Sequence, residues 1–353
     1  MYLTLLHLQM NSNEHFAWPR NKMKIISAIV FASIFGSDAL AWGSTGHRMI
    51  TAEALRGLPT TSPSLLRSPE FVADAAEWAR EPDRWRLSGT PHDEMRDVNH
   101  FAYADDDGRL GGGPVFTGLP ATREAFAQAV RKAGGDPEQV GYLPYAILDA
   151  WQQVAKDFAY WRADRAGLKA SRDPKALAWL EGDRRRRESQ LAFDIGVLSH
   201  YVGDATQPMH LSIHHDGWGP GPNPDGFTQE KGHVAYEGAY TAKVATPEAV
   251  RAAMPAPRDL GPQALAVGAY LDAASKETRV WFAMEKAGAF KPGDDRGVRY
   301  TTARLATGAA MLRDMIAAAW TSSAAGQVNY PVVTVRDLES GRADAYLALH
   351  PAD

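Results

Sequence analysis

The stretch HYVGDATQPMH, residues 200 to 210, gathers His200, Asp204 and His210 into one short segment. On a helix, His200 and Asp204 are four apart and share a face, so a single turn offers two metal ligands. Gln207-Pro208 predicts a helix end before His210. Taken alone, the stretch also reads as a polar helix end with an incidental histidine pair. Other clusters accompany it: His47 in WGSTGH, Asp83 in REPDRWR, His100 in DVNHFAY, and His233 with Glu237, again four apart. The chain has no cysteine, so any metal must rest on His, Asp, Glu or main-chain groups. Neutral imidazole and carboxylate bind zinc at about 2.0–2.2 Å, and dispersed His and carboxylate clusters are what such a site requires.

Helices must position these residues. Ile147, Leu148, Trp151, Val154, Ala155, Phe158 and Trp161 recur at helical spacing, as do Leu191, Ile195, Leu198 and Val202. TTARLATGAAMLRDMIAAAW, 301 to 320, predicts another helix, as do 50–58 and 69–80, the latter opened by Ser68-Pro69. Only YPVVTV, 330 to 335, suggests a strand. Segments 104–120 and 216–232, rich in Gly, Pro and Asp, read as loops. With 353 residues, 45% of them hydrophobic, the chain can bury a large core. The expected fold is all-α, a single multi-helix domain with long loops around the metal ligands. A formal net charge of -4 leaves no global basic field to draw it to duplex nucleic acid or anionic membrane.

From Met23 the chain runs MKIISAIVFASIFGSDALAW: a basic start, an apolar stretch and a small-x-small site ending at Ala41. Residues 1–41 are therefore read as an upstream segment plus signal peptide, an N-terminal membrane anchor being the rival reading. A domain at 42–322 and a C-terminal tail at 323–353 follow, and the mature chain, starting at Trp42, is expected to be exported to periplasm or medium.

In this order, WGSTGH, an Asp in a Trp-rich helix end, NHF, LSHYVGDATQPMH and the late His-x-x-x-acid pair resemble the trinuclear zinc phosphodiesterases. That superfamily comprises the S1/P1-type nucleases and the zinc-dependent bacterial phospholipases C, and the resemblance spans roughly residues 42 to 320. It implies three zinc ions in a phospholipase C/P1 nuclease-like domain. One would be held by Asp83, His100 and His200, with Asp204 bridging to a second on His47 and the amine and carbonyl of Trp42. The third would take His210, His233 and Glu237. It further implies catalytic work for Asp83, which orients or deprotonates a water, and for Arg86, which contacts phosphate. A solvated helix-end role for Arg86 stays open, with Arg84 competing.

The substrate is divided between two branches. The step from Trp42 to His47, the long loop between His210 and His233, AAEWAREPDRWR and GDATQPMH look like the nucleases. Glu237 in place of an aspartate looks like phospholipase C, and Tyr103 stands where the nucleases usually place a base-reading aspartate. Phe101, Tyr103, Trp218 and Phe227 could stack on bases or cage a choline head group, with plain packing the alternative for each. The expected activity is hydrolysis of single-stranded DNA or RNA by a monomer without an obligate protein partner. Phospholipase C acting on phosphatidylcholine-type lipids is the alternative, and a non-catalytic periplasmic zinc-binding protein the third reading. His214 and His215 are expected at the solvent-exposed mouth and His92 in a loop. Arg184 to Arg187 is expected at a solvated helix start, and Asp194 bonded to a ligand histidine or on an exposed face.

Overall fold

A computed structural model describes residues 42–86, 93–219 and 221–350; the segment read as a signal peptide and His92 lie outside them. The front of the chain forms α1 (Gly43–Arg56), α2 (Pro69–Trp78), α3 (Glu81–Arg84), α4 (Asp93–Asp97), α5 (Arg123–Lys132) and α6 (Pro137–Val140). Two long helices follow, α7 (Leu143–Ala170) and α8 (Pro174–Asp204), joined by so short a link that they pack as antiparallel neighbours. After the loop region come α9 (His233–Ala235), a π-helical turn at Tyr236–Tyr240, and α10 (Thr241–Val244). Then come α11 (Pro247–Ala253), α12 (Gln263–Ser275), α13 (Glu277–Lys286) and α14 (Asp295–Ser323). The end of the chain adds a two-stranded hairpin, α15 (Val335–Glu339) and α16 (Ala345–Leu349).

Local chemistry sets these bounds. At α2, Ser68 accepts the Phe71 N–H and Pro69 occupies the first turn, where a missing N–H costs nothing. α8 stops at Asp204, and Gln207 caps a 3₁₀ turn at Pro208–Leu211 that presents His210. The helices α1, α2 and α14 pack on the α7–α8 pair. Ile50, Leu55, Trp151, Phe158, Leu198, Leu312 and Ile316 are buried between them, each contributing on the order of 1.5–3 kcal/mol through loss of water contact. The buried Trp151 indole satisfies its N–H on the Met315 carbonyl at 2.7 Å, tying α7 to α14.

Two expectations change. The strand expected over 330–335 shrinks to Val333–Thr334, paired antiparallel with Gln327–Val328, because Val335 already opens α15 under a Thr334 cap. The region after α14 packs α15 and α16 on α7 over a second apolar cluster that includes Ala159, Ala163, Val328 and Leu338. The arginine run lies inside α8 rather than ahead of it, where Arg184 pairs with Glu181 and Glu188, and Arg186 with Asp183.

Asp157 and Asp164 are both buried on α7. Burial pushes the Asp157 carboxyl up to about 8, aided by the hydrogen bond its protonated form donates to Asp194 and opposed by Gln153 and Arg187. Burial, then Asp183, pushes Asp164 likewise to about 8, and neither of its oxygens has a hydrogen-bond partner among the described residues. These raised groups bind protons more tightly when folded. Their stabilisation is complete below about pH 4, the ordinary carboxylate range, and is lost as pH rises through about 8. Asp164→Asn, which cannot ionise, should flatten that decline: thermal unfolding at pH 5 and pH 9 should differ less for the variant than for the parent. An equal difference in both proteins would refute the assignment.

Candidate metal centre

The end of α8 supplies His200 and Asp204, both fully buried. Gly203 between them lets α1 come close: a Cβ there would lie 2.9 Å from His47 Nδ1. His47, itself fully buried, stacks its ring on His200 at 4.1 Å and approaches Asp204 Oδ1 through Nε2 at 3.4 Å. From the segment after α4, His100 brings Nδ1 to 3.0 Å from Asp204 Oδ2 and 3.0 Å from His200 Nε2. Asp83 Oδ1, from α3, stands 3.8 Å from His200 Nε2 and 4.0 Å from His100 Nδ1. A second cluster lies alongside: Glu237 Oε1 is 2.7 Å from His233 Nε2 and 3.2 Å from His210 Nε2. The π-helical turn carries Glu237, and such turns recur at functional sites.

Three groups of buried donors result: His47 with His200 and Asp204, Asp83 with His100 and His200, and His210 with His233 and Glu237. Within each, the candidate ligand atoms lie within 4.8 Å of one another. His200 belongs to two of them, because its place one turn from Asp204 puts it within reach of both. In a tetrahedral site with bonds of about 2.0–2.1 Å, ligand atoms sit about 3.3–3.4 Å apart. The observed separations bracket that value.

The imidazoles are oriented by main-chain acceptors, the arrangement usual around metal-binding histidines. His200 Nδ1 donates to the Ala79 carbonyl at 2.8 Å, His210 Nδ1 to the His100 carbonyl at 2.6 Å, and the His233 ring bonds the His215 main chain. In His200 and His210 this leaves the Nε2 lone pair facing the cluster. The electrostatics are compatible with cations. Burial drives Asp204 well above the usual carboxylate range and raises Asp83 to about 6, while burial and then His200 hold His100 well below the ordinary imidazole value. For Glu237 burial acts upward, yet His233 and His210 outweigh it and hold the carboxyl well below normal. Asp204 Oδ1 and Glu237 Oε2, both buried, have no hydrogen-bond donor among the described residues. Buried carboxylates short of donors, set against imidazoles aimed at them, are compatible with bound cations.

Trp42 is fully buried beside this cluster in the left-handed region, φ 47°. Its indole donates at 2.8 Å to both the Gly203 carbonyl and Thr206 Oγ1, and its own carbonyl accepts the Gly46 N–H at 3.1 Å. Arg86 is drawn inward, 3.2 Å from Asp83 Oδ1 and 2.7 Å from Asp97 Oδ1, whereas Arg84 turns out to Glu81.

The aromatic residues separate into two sets. Phe101 and Tyr103 are half-buried and stack face to face at 4.3 Å, with the exposed His215 ring on Tyr103 at 4.5 Å. Trp218 and Phe227 are buried together against Phe282, so neither ring presents an open face. His214, expected at the surface, is buried on Trp218 and bonded to Asp106 and the Gly219 carbonyl. Asp194 bonds Gln190 and Asp157 rather than a ligand histidine. No family model, curated protein or solved structure matches the chain.

Sequence reasoning missed Gln207. Its Nε2 donates to Glu237 Oε1 at 2.7 Å and its Oε1 accepts the Met209 N–H, holding the third donor group to the end of α8. Its position midway between Asp204 and His210 was the available signal.

Proposed function

We propose that the protein is an exported zinc phosphodiesterase that cleaves single-stranded DNA or RNA. The observation that carries the reading is the grouping of His47, Asp83, His100, His200, Asp204, His210, His233 and Glu237 into three adjacent buried donor sets. The order of these residues along the chain is that of the resemblance. Bound zinc would lower the pKa of a water towards 7 and offset charge gathering on the phosphoryl oxygens.

The chain's own residues do the rest. Asp83, raised by burial and ion-paired to Arg86 through Oδ1, is suited to orient a water and accept its proton. Arg86, held between Asp83 and Asp97, presents a planar donor fork suited to a non-bridging phosphate oxygen. The Phe101–Tyr103–His215 stack supplies ring surface for a base. Buried Trp218 and Phe227 take no part in this reading.

Phospholipase C is the second reading, favoured by Glu237 in the third donor set. Turnover should be measured side by side on single-stranded DNA, RNA and phosphatidylcholine. Nucleic acid cleavage is the expected result, abolished by EDTA together with a lower melting temperature, and restored by zinc. Phosphorylcholine release alone would overturn the nuclease reading. Tight zinc binding with no turnover would overturn catalysis.

A further inference from the structure

A cleft of about 510 Å³ lies along α7 and α8, a size typical of small-ligand sites. It adjoins the metal centre without entering it. Tyr201 lines the cleft and packs its ring edge-on at 5.6 Å against both His100 and His200; Asn99, next to His100, forms the adjoining wall. The cleft is chemically graded. At one end the exposed Arg123 opens α5, its guanidinium 3.8 Å from the Tyr142 ring centre and 3.4 Å from Asn99 Oδ1, and the helix start adds to its preference for an anion. Elsewhere along it the half-buried rings of Trp85 and Phe193, 6.2 Å apart and tilted by 42°, make an apolar wall. On α7, exposed Asp149 and Gln152 offer acceptors and a donor to the edge of a heterocycle.

We propose that this cleft seats a further stretch of a single-stranded nucleic acid, with a base against Trp85 and Phe193 and a phosphate at Arg123. The strand then runs past Tyr201 to the donor clusters, so that the cleft secures chain beyond the point of cleavage. An anion-binding end, an aromatic wall and an amide-bearing edge in one cleft match the phosphates and bases of a single strand, whereas a phosphatidylcholine offers no planar ring to the aromatic wall. The proposal rests on the phosphodiesterase reading for its substrate class.

The test is titration of the zinc-loaded protein, at a pH and temperature where cleavage is negligible, with a single-stranded DNA 8-mer carrying 2-aminopurine. Fluorescence reports stacking, and hydrolysis of bis(p-nitrophenyl) phosphate, too small to span both sites, is followed separately. Phe193→Ala should weaken binding about tenfold through lost stacking. Arg123→Glu, a surface change that leaves the core intact, should do likewise and lower the salt slope by about 0.7 or more. Both variants should keep their zinc and their activity on the small diester. Unchanged affinity and salt slope in both, or failure of the parent protein to bind the strand, would overturn the subsite. Strand binding that both variants weaken, in a protein that hydrolyses no phosphodiester, would keep the subsite and overturn the enzymatic reading instead.

Discussion

Asp204→Asn should strip the protein of metal and, on the proposed function, of activity. The carboxylate lies 3.4 Å from His47, 3.0 Å from His100 and 3.3 Å from His200, so it belongs to one donor set and touches His100 of the next, which it would bridge on the proposed function. An amide keeps its shape but supplies only one weak oxygen donor. Losing an outer-layer partner of a metal ligand commonly costs 10–100-fold in affinity; a residue shared by two ions should cost at least about 100-fold. Metal content by mass spectrometry and melting temperature with and without zinc provide the check. Because burial already disfavours the ionised Asp204, the metal-free variant should melt no lower than metal-free parent protein, while the zinc-dependent gain should vanish. Full metal content with full activity would remove the shared-ligand account.

The second large effect concerns Trp42. If its amine is a ligand, as the resemblance implies, adding one alanine ahead of Trp42 in the mature protein turns that amine into an amide. A planar amide nitrogen has no lone pair to give. The expected outcome is loss of one ion and a fall in turnover of about 100-fold or more. The indole anchors to Gly203 and Thr206 should survive, so the fold should persist, as circular dichroism would show. An unchanged rate and metal count in the extended protein would show that the terminal amine plays no such part.

Local spacing made part of the centre legible. His200 and Asp204, and His233 and Glu237, meet because four residues make about one helical turn, and Pro208 ends α8 ahead of His210. The acceptors that aim the imidazoles were not legible: the carbonyls of Ala79, His100 and His215 carry no residue-type signal and meet rings far along the chain. Burial was equally hidden where partners are distant. His214 looks like a surface histidine until Trp218 covers it and Asp106 bonds it, and Asp194 faces α7 because the α7–α8 pairing presents Asp157 to it. The all-α character came through because long helical runs dominate; YPVVTV marked a real strand, Val333–Thr334, but overstated its length because β-branched residues at its turn and at the start of α15 also resemble a strand.

The donor clusters also bear on how the chain is held together. Their members come from α1, α3, the segment after α4, the end of α8, the 3₁₀ turn at Pro208–Leu211, α9 and the π-helical turn, segments scattered between residues 47 and 237. Ions bound there would act as cross-links closing several very long loops, and closing long loops removes most from the freedom of the unfolded chain. In a sequence without a single cysteine, such a many-way clasp would, on the proposed function, stand where an exported protein often relies on disulfides, and it would be indifferent to the redox state of its surroundings.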